Sequence, residues 1–272
     1  MTSEQQKFSG SGKRTGAAAS PPAPWRDFNL AMGLLTRLPS RTSAETANLG
    51  GAAGFFPLAG VIVGGAMAIP ILIGAQLHLP AEVTAFAAVL AAVWFTRALH
   101  EDGLADTADG LGGGRTVEQK LLIMRDSRVG TFGVLALIAS VGLRWVVLAA
   151  LISVDATIAA LAAVAAASLS RFSPVVLMRL LPPARSDGLS FAAGRPSAIS
   201  ILVALATVAA VFYKTLSVPS TIGALAGLAA ATGFIGALAW RHLRGQTGDV
   251  LGAAQQVSEA AILLAILVRW TA

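Results

Sequence analysis

Seven long apolar segments alternate with shorter polar ones along most of the chain. They lie at about residues 54–77, 81–99, 131–153, 156–178, 198–213, 220–240 and 250–270. Most come close to the ~20 residues that a helix needs to cross a bilayer, and the fifth is the shortest. Because a helix satisfies its own backbone hydrogen bonds in lipid, the pattern predicts an all-α, polytopic integral membrane helix bundle of about seven transmembrane helices.

Two further regions precede the first span. In residues 25–39, Phe28, Met32 and Leu35 share one helical face, which predicts an amphipathic helix at the membrane surface. Residues 1–24 are rich in Ser, Gly, Ala and Pro and contain no apolar run, so we expect a disordered tail and no signal peptide. The predicted domains are therefore the tail, 1–24, and one membrane-embedded domain, 25–272.

The composition agrees with a membrane protein. Hydrophobic residues make up 55% of the 272 residues and charged residues 12%, whereas about 25% of an average soluble domain is charged. The apolar residues are mostly small, which suits close helix packing in lipid. Cysteine is absent, so any metal site must use oxygen or imidazole ligands.

The basic residues predict the orientation of the bundle. If the N-terminus is cytoplasmic and seven spans alternate, 16 of the 20 Lys and Arg residues face the cytoplasm, as the positive-inside rule requires. The polar connections 100–130, 179–197 and 241–249 then share that side. The net charge of +6 lies beside apolar spans, so we expect membrane lipids and an anionic substrate as partners, and no nucleic acid.

The densest group of polar residues is an acidic string in the first long connection. Asp102, Asp106 and Asp109 stand at positions i, i+4 and i+7, on one face of a helix. Like charges at this spacing repel, and a divalent cation removes the penalty. Mg²⁺ commonly binds one or two carboxylates together with substrate phosphates. We interpret the string as a Mg²⁺ site; the alternative is a solvated acidic loop.

Two other polar strings have the composition of phosphate sites. Arg125-Asp126-Ser127-Arg128-Val129-Gly130 precedes a span, where a helix N-terminus and arginines suit an anion. The alternative is that these arginines anchor the membrane edge. The string Gly245-Gln246-Thr247-Gly248-Asp249 opens the last span and could hold a phosphate or complete a metal shell, although it also fits an ordinary helix cap.

Three ionisable residues fall inside predicted spans and require partners. Arg144 and Arg171 are costly in lipid unless paired, and Glu259 is a carboxylate within the last span. We expect Arg171 to face the interior and to reach a substrate phosphate or a carboxylate. A structural ion pair with an arginine is the alternative for Glu259.

Five strings, in their order along the chain, resemble the cobalamin synthase family, the adenosylcobinamide-GDP ribazoletransferases. They are LTRLP at 35–39, FPLAG at 56–60, HEDGLADTADG at 100–110, IMRDSRVG at 123–130 and GQTGDVLGA at 245–253. Two positions depart from the family pattern. Glu101 stands where an apolar residue is expected, and Gln256 stands where a glutamate is expected.

The resemblance implies a reaction, a cofactor and a set of site residues. A ribose hydroxyl of α-ribazole, or of its 5′-phosphate, attacks the diphosphate of adenosylcobinamide-GDP, and GMP leaves; Mg²⁺ is required. Asp102, Asp106 and Asp109 are implied as catalytic residues, with Asp109 as the favoured general base. The implied metal ligands are Asp102, Asp106, Asp109, Asp126 and Asp249. The implied phosphate-binding residues are Arg37, Arg125, Arg128, Arg171, Gly245, Thr247 and Gly248.

The same resemblance implies the bacterial cytoplasmic (inner) membrane, with the site facing the cytoplasm. The sequence leaves open whether the chain forms a homo-oligomer. Two rival functions remain. A membrane phosphotransferase of the CDP-alcohol type also uses spaced aspartates, and a cation-coupled transporter also buries carboxylates, although the chain shows no internal repeat of the kind found in many transporters.

Overall fold

The computed structural model describes residues 23–40 and 49–271. The predicted tail lies outside these residues, except for Ala23 and Pro24, which already belong to the first helix. In the described ranges every regular element is a helix. The polytopic all-α fold expected from the hydropathy pattern is therefore confirmed.

The helices, in chain order, have the following bounds. They are α1 Ala23–Leu35, α2 Leu49–Ala52, α3 Phe56–Gln76, α4 Ala81–Phe95, α5 Leu99–Gly113, α6 Val117–Ile123, α7 Thr131–Val154, α8 Ala156–Ser170, α9 Phe172–Leu180, α10 Gly188–Ala193, α11 Ala198–Thr215, α12 Val218–Leu243 and α13 Gly248–Thr271. A short 3₁₀ turn joins α2 to α3. The predicted amphipathic helix is α1, and its Met32 and Leu35 are buried against α3 and α9.

Six helical segments in the described chain are long and apolar enough to cross a membrane, and α4 with α5 raises the number to as many as seven. The α8 and α9 helices together form one of the six. The α4 helix ends against the end of α1, because the amide of Arg37 donates to the carbonyl of Phe95 at 2.8 Å. The next residues, Arg97 and Ala98, both adopt positive φ, and α5 leaves at 88° to α4.

The α5 helix packs against α7 and α13 at one end of the bundle. It meets the N-terminal ends of α7 and α13 there, and it shares a cavity with the N-terminal end of α3. We call this end, formed by α5 and the N-terminal ends of α3, α7 and α13, the mouth. The connection 100–130 contains the helices α5 and α6.

The centre of the bundle is α8 packed against α3. A Cβ atom on Gly60 would lie 2.3 Å from the carbonyl oxygen of Ala167, so only glycine allows the two backbones to come this close. The most apolar window of the α8–α9 segment is 78% buried inside the protein, compared with 22% for α7. The alanine-rich span is thus the central one, whereas α7 presents most of its surface outward.

Candidate active site

The mouth is assembled where α5 crosses the start of α13. A Cβ atom on Gly103 would lie 2.8 Å from the backbone oxygen of Asp249, and one on Gly252 would lie 3.3 Å from the carbonyl oxygen of His100. The missing side chains let the two helices touch through their backbones. This close approach brings Asp102 and Asp106 of α5 into the neighbourhood of Asp249.

The carboxylates at the mouth repel one another. Asp106 lies close enough to Asp102 and Asp249 for their negative charges to act on it. The negative charge of Asp249 is partly compensated, because Arg185 donates a hydrogen bond to its carboxylate at 2.8 Å. The mouth therefore has an excess of negative charge that a bound cation would neutralise.

A cavity of about 190 Å³ opens beside these carboxylates. It lies between α1, α3, α5, α9 and α13, and its wall is mainly apolar. The polar groups on its wall include Asp102, Asp249, His100 and Arg171. An apolar cleft with a few polar groups at one side is the usual form of a site for an organic ligand.

Asp109 occupies a different environment from the other two aspartates of its string. It is buried, and its two carboxylate oxygens accept hydrogen bonds from the amides of Gly130, at 2.6 Å, and Gly133, at 2.8 Å. Asp109 therefore closes the N-terminal turn of α7, where a carboxylate is favoured by the free amides and the helix dipole. Both its oxygens are engaged, which makes it poorly suited to act as a general base.

The residues of the mouth can supply only part of the coordination shell of a magnesium ion, and water and substrate phosphates would have to supply the rest. Among the described residues, no group of three or more histidine and carboxylate side chains is close enough to hold a metal ion by itself. Asp102, Asp106 and Asp249 offer the hard oxygen donors that Mg²⁺ prefers. Because Mg²⁺ commonly takes one or two carboxylates and fills its shell with water and substrate phosphates, this donor set fits a substrate-dependent Mg²⁺ site.

The arginines of the predicted phosphate sites are held by other partners. Arg125 donates to Asp187 at 2.6 Å, and Arg128 donates to Asp126 at 2.6 Å; all four side chains are exposed to a large degree. The hydrogen bonds from Arg128 lower the pKa of Asp126 to about 2. Asp126 is thus neutralised by its neighbour two residues along the chain, outside the carboxylate cluster of the mouth.

Arg37 and Arg171 lie in contrasting places. The Arg37 side chain is bound at the end of α4, where its Nε donates to the carbonyl of Trp94 and its guanidinium stacks 4.9 Å from the centre of the Trp94 ring. Arg171 is buried at the cavity wall, with one nitrogen bound to the carbonyl of Ala167 at 2.8 Å and 4.0 Å from Glu259. The structure thus brings Arg171 to the cavity, and Arg37 to a helix end.

The residues just before and at the start of α13 have two different roles: some form a tight turn, and others line the cavity. A Cβ atom on Gly245 would lie 2.5 Å from the carbonyl oxygen of Pro182, and the adjacent Gln246 exchanges backbone hydrogen bonds with Pro182 and Ala184. Thr247 is fully buried. Gly245 and Thr247 therefore shape the turn. Of the three residues predicted to bind phosphate here, Gly248 alone lies on the cavity wall.

Sequence reasoning did not identify Arg185, which pairs with Asp249 at the mouth. It also did not identify the partners of Arg144, which donates to Glu101 at 3.0 Å and to Glu259 at 3.4 Å. The cost of burying an arginine signals that Arg144 needs acidic partners. The partner on α5 could not be chosen from the sequence, because 43 residues separate it from Arg144.

The fold and the mouth define a class of protein: a polytopic helical membrane protein with a cluster of carboxylates beside an apolar cavity at one end. A scan against family models matches residues 27–267 to cobalamin-5-phosphate synthase. The chain belongs to this family.

Curated relatives agree with the family match. A protein of Bradyrhizobium diazoefficiens named adenosylcobinamide-GDP ribazoletransferase is 44% identical over 240 residues, which cover 88% of this chain and 92% of the relative. A protein of the same name from Azorhizobium caulinodans is 50% identical over 218 residues, covering 78% and 82%. One from Sinorhizobium medicae is 40% identical, covering 89% and 96%. No solved structure matches this chain.

Proposed function

We propose that this chain catalyses the reaction for which its relatives are named, the last assembly step of cobalamin. A ribose hydroxyl of α-ribazole, or of its 5′-phosphate, forms a bond to the cobinamide-bearing phosphorus of adenosylcobinamide-GDP. The bond from that phosphorus to the bridging oxygen breaks, GMP leaves with that oxygen, and the hydroxyl proton is lost. The products are adenosylcobalamin, or its phosphate, and GMP.

The observation that carries this proposal is the acidic mouth beside an apolar cavity in a chain of this family. Phosphoryl transfer needs mainly positioning and neutralisation of charge. Asp102, Asp106 and Asp249 would hold Mg²⁺, which neutralises charge on the diphosphate when it is bound. Arg171 lies on the cavity wall and its Nε has no hydrogen-bond partner among the described residues, so in this proposal it would donate to a phosphate oxygen.

The direct test is release of GMP from adenosylcobinamide-GDP by purified protein in detergent. We expect release only when α-ribazole or its phosphate and Mg²⁺ are both present, and loss of activity with a chelator. CDP-diacylglycerol with an alcohol acceptor should give no product, which separates this reaction from the CDP-alcohol class. Turnover of CDP-diacylglycerol without GMP release would overturn the proposal, and so would solute flux in sealed vesicles without GMP release.

The variant Asp106→Asn tests the acidic cluster. It removes one negative charge and keeps the shape of the side chain, so we expect at least a ~100-fold loss of activity, on the scale of removing one preorganised electrostatic contact. Asp155→Asn is the matched control, because Asp155 caps α8 by accepting from the amide of Ile158 at 2.9 Å and asparagine can do the same. An Asp106→Asn protein with normal folding and full activity would remove the metal site from the proposal.

The proposed location is the bacterial cytoplasmic membrane, with the mouth facing the cytoplasm. Since the chain has no cysteine, single cysteines can report the side of each loop. Ser127 and Ser186 are exposed on polar connections near the mouth, and Ser153 is exposed at the opposite end of α7. In intact cells with a permeable outer membrane, an impermeant maleimide should label Ser153→Cys and leave the other two unlabelled. Labelling of all three from one side would contradict this orientation.

A further inference from the structure

A buried ionic network lies directly behind the acidic face of α5. Arg144 of α7 is 1% exposed and donates to Glu101 of α5 at 3.0 Å and to Glu259 of α13 at 3.4 Å. Arg171 approaches the second oxygen of Glu259 at 4.0 Å. Two arginines and two glutamates balance in charge, and together they connect α5, α7, α13 and the α8–α9 break.

Amide and hydroxyl groups extend this network. Gln256 donates to Glu101 at 3.1 Å and accepts from Ser140 at 2.9 Å. Gln255 donates to Glu259 at 2.6 Å and to Ser170 at 3.0 Å. Buried charges persist only where such partners satisfy them, and a network of this kind is rigid because each member limits the others.

Glu101 has a special place in the network. It is the member that belongs to α5, and its neighbour in the chain is Asp102 of the mouth. One of its carboxylate oxygens accepts hydrogen bonds from both Arg144 of α7 and Gln256 of α13. These two contacts therefore fix the position and the rotation of α5 relative to α7 and α13, the two helices whose N-terminal ends also belong to the mouth.

We propose that Glu101 is a positioning residue for the reaction, and that the network requires one negative charge beside Arg144, which position 101 or position 256 can supply. Gln256 bonds to the same Glu101 oxygen as Arg144 and also bonds to Ser140, one turn before Arg144 on α7. A glutamate at position 256 would therefore lie next to the Arg144 guanidinium. A glutamine at position 101 could donate a hydrogen bond to that glutamate, which reverses the direction of the existing hydrogen bond between the two positions.

The test is a charge-relocation cycle with the variants E101Q, Q256E and E101Q/Q256E. Each single change leaves the network with one unbalanced charge. We expect each to lower GMP release per folded protein by roughly 10- to 100-fold and to raise the Mg²⁺ concentration needed for half-maximal rate, because a misplacement of about 1 Å has effects of this size. The double variant restores the balance, and its rate should return to within about threefold of the original.

The control is E101Q/Q255E, which has the same composition with the charge in another place. Gln255 lies 2.6 Å from Glu259, so a glutamate there would face a second carboxylate instead of Arg144. This variant should remain as impaired as E101Q. Recovery in E101Q/Q255E would show that net charge alone matters and would overturn the assignment.

Two other outcomes also decide the proposal. If E101Q/Q256E folds normally and stays inactive, Glu101 contacts substrate or metal itself. If folded E101Q retains the full rate and Mg²⁺ dependence, the residue affects stability alone.

This inference uses the proposed transferase reaction as its readout. A wild-type protein that released no GMP would instead refute the proposed function. In that case the unfolding midpoints of the same four proteins still test the relocation of charge, because the double variant should recover most of the stability that each single variant loses.

Discussion

The mouth and the buried network differ in how their charges are held, although only one helix, α5, separates them. In the polar connections near the mouth, the pair of Arg125 and Asp187 has side chains that are 50% and 59% exposed, whereas the pair of Arg144 and Glu101 is 1% and 7% exposed. Exposed pairs separate at little cost, and buried pairs do not. The exposed charges near the mouth can therefore exchange their partners for substrate groups while the network keeps α5 in place.

The comparison also separates two uses of aspartate within one string. Asp102 and Asp106 contribute negative charge to the mouth. Asp109, one turn beyond Asp106, has both oxygens bound to amides of α7. The first two are suited to chemistry with a cation, and the third stabilises the helix junction.

Loss of Arg144 should have the largest effect on stability. In Arg144→Leu, Glu101 and Glu259 would stay buried without their cation, which costs about 3–5 kcal/mol in comparable cases. Thermal or denaturant unfolding in detergent measures this. Arg128→Leu, at an exposed pair, should change stability by less than about 1 kcal/mol. Equal effects of the two substitutions would remove the distinction between the buried network and the exposed pairs.

Asp102→Asn should affect activity and leave stability intact. The side chain is exposed on α5 and faces like charges, so its neutralisation should not destabilise the fold. We expect roughly a 100-fold lower rate of GMP release, as for loss of one preorganised electrostatic contact. An active Asp102→Asn protein would exclude this carboxylate from the site.

Gly103→Ala should disturb the mouth by steric contact alone. The new Cβ atom would meet the backbone of Asp249 at 2.8 Å and push α5 from α13, at a cost of about 1–3 kcal/mol and with a lower rate. Gly65→Ala is the matched control, because no heavy atom lies within 4 Å of its added Cβ. Normal activity and stability in Gly103→Ala would mean that the close approach of the two helices is unnecessary.

Asp187→Asn should have the smallest effect. It weakens an exposed ion pair, so stability should change by no more than about 1 kcal/mol. It also releases Arg125, which the sequence predicts to bind phosphate, and the KM for adenosylcobinamide-GDP should then stay equal or fall. A strong rise in KM would show that the pair itself holds the site in its working form.

Much of the fold follows from local physics that the sequence displays. Apolar runs of membrane length, short polar connections and the clustering of basic residues predict the helices and their alternation, and the structure has helices at all seven predicted segments. The helical spacing of the aspartates correctly predicted a helix at α5. These features depend on the properties of neighbouring residues, so the sequence alone determines them.

The assignment of partners depends on residues far apart in the chain. Glu101 and Gln256 are 155 positions apart, and both depart from the family pattern, yet they form one hydrogen bond in the bundle core. Asp109 binds the start of α7 because the 88° turn after α4 directs α5 toward that helix. The sequence determined which charged groups the protein must accommodate in the membrane. The packing of helices through glycine contacts decided which of them face the cavity and which hold the bundle together, because burial and pairing are set by three-dimensional neighbours.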